Sequence, residues 1–124
     1  MELQGTTAGT GHDQLGINGT VDITGSSLSV LFDTFTPVNG DLLFILLNDG
    51  TDAITGTFSG FAQNATVINY GGLDWKISYN ADFTANTFTG TANGNDIALM
   101  AIPEPSAALL GGLGMLCLLR RRRA

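Results

Sequence analysis

The chain has 124 residues, room for one small domain and a short tail. Charged residues make up only 13%, against roughly 25% in ordinary soluble domains, and 17 residues are glycine, which makes poor helix and good strand-and-turn material. The net charge is −6, and four of the 5 basic residues are Arg120, Arg121, Arg122 and Arg123, so the acidic body keeps Lys76 as its one cation and nucleic acid is excluded as its partner.

In chain order, residues 5–11 are small and polar and read as loop. Residues 12–23 alternate, with Leu15 and Ile17, then Val21 and Ile23, about Asn18-Gly19. Asn-Gly is the strongest short turn signal, so two short strands are expected to meet there. Gly25-Ser26-Ser27 is a second turn, and Leu28, Val30 and Phe32 then alternate as a half-buried strand. After the breakers Pro37 and Gly40 comes the run Leu42-Leu43-Phe44-Ile45-Leu46-Leu47. Its length and flanks suit a strand buried on both faces, and it is too short to cross a membrane. Phe58 and Phe61 lie between glycines, and residues 66–70 are β-branched-rich. Gly71-Gly72 turns the chain into the clearest amphipathic strand, with Leu73, Trp75, Ile77 and Tyr79 alternating with Asp74, Lys76 and Ser78. The aromatic face is expected to be core. Residues 87–91 form a polar strand candidate, and residues 96–102 the last strand, with Ile97 and Leu99 on one face.

About eight or nine short strands with turns between them and no soluble helix predict an all-β body, either a β-solenoid end or cap or a β-sandwich-like domain. Residues 13–32 have the strand, tight turn, strand rhythm of a solenoid, and the remainder would cap it. The expected organisation is a β-rich extracytoplasmic domain over residues 1–101 and a separate tail over 102–124, with a single short hydrophobic helix in the tail.

The tail has three parts. Pro103-Glu104-Pro105 comes first, and its prolines hold the backbone extended and accessible to a protease cleft. An apolar stretch follows, carrying Ala107, Leu109, Leu110, Leu113, Met115, Leu116, Leu118 and Leu119. Arg120 to Arg123 close it, a block that resists translocation and stays on the cytoplasmic side. As helix, residues 106–119 would span about 21 Å, short of the ~30 Å bilayer core, which suits a segment that is transient.

Taken together, the order and spacing of these parts resemble the PEP-CTERM sorting signal. The resemblance implies recognition by exosortase, a membrane-embedded cysteine transpeptidase-like enzyme. It further implies processing near Pro103-Glu104-Pro105, a transient anchor in the inner membrane, and delivery to the cell surface or extracellular matrix. The body resembles the closing segment of autotransporter-type β-strand-repeat proteins. The likeness rests on Gly9-Thr10-Gly11-His12-Asp13-Gln14-Leu15, Gly19-Thr20-Val21, Gly25-Ser26-Ser27-Leu28 and Phe35-Thr36-Pro37. It continues through Gly40-Asp41, Phe44-Ile45-Leu46, Gly56-Thr57-Phe58 and Asn95-Asp96-Ile97-Ala98-Leu99. That resemblance implies a longer repeat array upstream. Residues 1–7 lack the basic start and apolar core of a signal peptide, so a true start before Met1 is expected.

Little in the body points to catalysis. His12 is the single histidine, and beside Asp13 with no nucleophile it reads as a turn or surface residue. Cys117 lies in the apolar tail and reads as a small hydrophobe. No metal and no cofactor are expected. Residues 48–52 and 93–96 are oxygen-rich, but neither completes a calcium loop. Trp75, Tyr70 and Tyr79 would stack on sugar rings only if exposed. The expected role is therefore a non-enzymatic structural or adhesive surface protein, with exosortase, the membrane and extracellular polysaccharide as partners. The alternatives are a carbohydrate-binding accessory module, or the remnant of an exported carbohydrate-active enzyme.

Overall fold

The computed structural model describes residues 1–89 and 93–104. Five strands form one sheet: β1 (Leu15–Ile17), β2 (Leu42–Asn48), β3 (Thr66–Tyr70), β4 (Leu73–Ala81) and β5 (Asp96–Pro103). Their order is β1-β2-β5-β4-β3, an open, curled arrangement. β1 runs parallel to β2 and every other pair is antiparallel. The described residues contain no helix, so the all-β expectation holds. The predicted C-terminal helix lies outside the described residues.

The apolar run of β2 is buried on both faces, as its lack of alternation predicted. Leu43 and Ile45 face the main core with Trp75, Ile77, Ile97 and Leu99, all essentially inaccessible. Phe44 faces the other way, onto Ala98 and Ala81, where Leu42, Leu47 and Phe88 close a smaller cluster. A bulge reconciles the two. Phe44 pairs with Ala98 and Leu46 with Ile97, so Ile45 is the extra residue, and both Ile45 and Leu46 reach the main core. Trp75, Ile77 and Tyr79 of β4 line the same core, as expected. Their alternates are not all solvated: Asp74 and Ser78 are buried too. Gln63 straps that face, donating to Ser78 Oγ at 3.0 Å and Asn80 Oδ1 at 2.9 Å and accepting from the Tyr79 N–H at 2.8 Å.

The first third of the chain departs from the predicted hairpin. Val21 and Ile23 do not fold back on β1. The Ile23 N–H donates to Thr55 O and the Thr55 N–H to Val21 O, both at 2.9 Å. Gly19, at φ +100°, turns a corner between the two stretches, and its N–H goes to Asp49 Oδ1 at 2.8 Å. The neighbours run parallel: Glu2 beside Leu31, Leu15 beside Leu46, Asp22 beside Thr55. Each stretch thus lies against chain about 30 residues further on, within the range of repeat periods in stacked folds. Leu28, Val30 and Phe32 keep the predicted inward alternation and pack on the core. They form no regular strand, and only Leu31 bridges, to Glu2. In the predicted polar strand, Thr87 makes an isolated bridge to Asp82, and residues 90–92 lie outside the described part.

Candidate processing site at the end of β5

Strand β5 lies between β2 and β4, and the sequence that follows it is the candidate sorting motif. Along one edge β4 accompanies β5 to its last residue: Trp75 pairs with Ala101, Asp74 with Ile102 and Leu73 with Pro103. Along the other edge β2 stops at the Leu42–Met100 pair, and the loop before β2 takes over. Gly40 N–H donates to Ala101 O at 2.8 Å, and Ala101 N–H donates to Asp41 O at 2.9 Å. Asp41 also holds the loop, its carboxylate accepting the Val38 N–H at 2.9 Å. The loop rests on the β3–β4 turn. A Cβ on Gly71, which has φ +65°, would come within 2.7 Å of Pro37.

Pro103 fits this position because it has no N–H to offer and needs none at a strand end. It is exposed, and Glu104 is half-buried. Of the predicted site residues, only these two belong to the described part. Pro105, the apolar residues Ala107, Leu109, Leu110, Leu113, Met115, Leu116, Leu118 and Leu119, and Arg120, Arg121, Arg122 and Arg123 lie outside it. Among the described residues no helix is long and apolar enough to cross a membrane.

The start of β5 carries a second polar cluster. Asp96 is buried, and its two carboxylate oxygens accept the N–H groups of Asn48 and Phe83, each at 2.9 Å. Asn95 donates to the carbonyls of Asp49 at 3.1 Å and Gly50 at 3.0 Å. Asn48 donates to Asp52 O at 2.8 Å. These are the two oxygen-rich segments noted in the sequence, and the fold brings them together beside a cavity of about 440 Å³. Their groups latch the β2 and β5 ends to each other. No group of three or more metal-ligating side chains forms among the described residues.

The remaining candidates sit in the framework. His12 is buried rather than at the surface, with Nδ1 3.2 Å from Gly5 O and Nε2 3.2 Å from Phe44 O. Gln14 donates to the same Phe44 carbonyl at 3.0 Å. Trp75 is fully buried, its ring 5.2 Å from that of Phe32 and 6.0 Å from that of Phe35, which removes it as a sugar-stacking platform. Tyr70 stacks on Phe32 at 4.2 Å and donates to Phe35 O at 2.7 Å. Burial raises the pKa of the Tyr79 phenol, against the hydrogen bond it accepts from the Phe58 N–H at 3.0 Å. An apolar groove of about 600 Å³ opens between the parallel stretches, lined by Ile17, Val21, Ile23, Leu28 and Phe58.

Sequence reasoning located the motif but missed its attachment. Nothing local to residues 38–41 marks them as the partner that replaces β2 beside Ala101. That contact is made across the sheet and leaves no periodic signal.

A family model described as a PEP-CTERM protein-sorting motif matches residues 101–123. The match begins within β5, so residues 101–103 belong both to the motif and to the sheet. No curated protein and no solved structure matches the chain.

Proposed function

We propose that this chain is a non-enzymatic bacterial surface or matrix protein of structural or adhesive type, exported and then sorted by exosortase through residues 102–124. The observation that carries the reading is the sorting motif matched at residues 101–123. On this reading the apolar stretch of residues 107–119 partitions into the inner membrane, and the four arginines hold its far end on the cytoplasmic side. Exosortase then meets Pro103-Glu104-Pro105 at the outer face and processes the chain there. The β body goes to the surface.

For the body, we read the end of a β-solenoid. Its support is the parallel neighbours about 30 residues apart, followed by the antiparallel β3–β4–β5 meander that closes the stack. The structural role draws support from the buried polar groups. The oxygens of the Asp96 carboxylate and the ring nitrogens of His12 are taken up by backbone groups of the fold.

The test is the intact mass of the protein purified from its native host. A mature chain lacking everything after the motif is expected. A mature chain that retains Arg120 to Arg123 would make the tail a plain anchor and end the exosortase reading.

A further inference from the structure

We propose that the folded sheet withholds the sorting motif from its processing enzyme, so that cleavage acts only on chains in which the end of β5 is undocked. This rests on the exosortase reading above and adds a condition to it.

A processing cleft takes its substrate extended and needs free backbone on the amino side of the bond it cuts. Here that side is residues 101–103, and its backbone is occupied. Ala101 is fully buried, with its N–H and C=O both bonded to residues of the 38–41 loop. On the opposite edge, Ala101, Ile102 and Pro103 lie in register with Trp75, Asp74 and Leu73. The fold leaves no linker between the sheet and the motif. From Ala101, which is held on both sides, to Pro105 the fully extended chain reaches only about 14 Å. Chemically, processing breaks one peptide C–N bond. The carbonyl carbon passes to an acceptor nucleophile, water or an amine, whose proton goes to the departing amine. None of this can begin while the acyl side is a sheet strand. Strand ends open at a small fraction of the cost of global unfolding, so the docked state slows processing without forbidding it.

The test follows full-length chains in the native host by pulse–chase, reading the mass lost on processing. One variant places eight Gly/Ser residues between Ile102 and Pro103, which keeps Pro103-Glu104-Pro105 whole and every strand pair of the sheet except Leu73–Pro103. A second carries Asp74→Cys and Ile102→Cys, which face each other across β4 and β5, with Cys117→Ser to prevent mispairing; the same chain kept reduced is its control. The linker chain is expected to be processed several-fold faster than wild type, and the oxidised chain about tenfold slower than its reduced form. Equal half-lives for the linker chain and wild type would overturn the inference while leaving the sorting reading in place, and the linker chain decides alone if the stapled one does not fold. Wild-type chains that are never cut at the motif would overturn both.

Discussion

Asp96 stands in a buried position where an unpaired carboxylate would be costly, and its two backbone donors repay that cost. Asp96→Ala leaves the Asn48 and Phe83 N–H groups without their acceptor. It should lower stability by about 2–4 kcal/mol, read from the urea midpoint at unchanged slope. Asp96→Asn keeps one acceptor oxygen and should lose less. Tyr79 gives a pH signature. Its folded pKa is raised from the ordinary 10.0, mainly by burial, so the neutral phenol stabilises the fold below about pH 10. That contribution is lost as pH rises through the folded value. Unfolding midpoints measured from pH 8 to 11.5 should fall more steeply in wild type than in Tyr79→Phe; parallel curves would show that the phenol is not the cause. Asp22 behaves in the opposite sense. Hydrogen bonds from the Thr24 backbone and side chain lower its pKa, so its contribution is present above the ordinary carboxylate range and lost only as acid titrates it.

Among the elements, the parallel stacking of the first third on residues 46–59 depends on close backbone approach. Gly56 has φ +81°, and a Cβ there would collide with the Thr24 hydroxyl and lie 2.9 Å from its backbone nitrogen. Gly60 has nearly the same φ, +82°, with open space around it. Gly60→Ala therefore meets only the left-handed backbone penalty, about 1–2 kcal/mol. Gly56→Ala must also push the two stretches apart and should lose at least as much again by the same urea measurement. Equal losses would mean that the stretches slide without resistance. The elements most legible in the sequence were those with a local signature. β2 announced itself by an unbroken apolar run, β4 by alternation about Trp75, and the β3–β4 turn by Gly71-Gly72, with φ of +65° and +75°. Asn18-Gly19 misled because a glycine corner serves a parallel stack as readily as a hairpin. The partner that decides between them, Thr55, lies far along the chain. His12 was invisible as a core residue for the same reason. Its burial follows from the Phe44 carbonyl beside the β2 bulge, a contact made 32 residues away.

The position of β5 ties the whole molecule to its tail. Both of its neighbours depend on it: β2 and β4 touch no common strand except β5. A chain ended after Gly94 would leave two bare edges and uncover Leu43, Ile77 and the rest of the main core. A chain ended after Glu104 keeps every strand of the sheet. The first is expected to show no cooperative urea transition, and the second to retain one, with strand-type circular dichroism in the second alone. A folded 1–94 chain would refute the central place given to β5. The consequence for sorting is a boundary. Matched residues 101–103 are shared between motif and sheet, so a cut before Ala101 would remove the bonds to Gly40 and Asp41 and the pairing with Trp75 that the body needs. A cut after Pro103 removes none of the sheet. A mature protein that is both processed and folded should therefore carry a new C-terminus at or beyond Pro103, which C-terminal peptide mapping of the purified processed form reads directly.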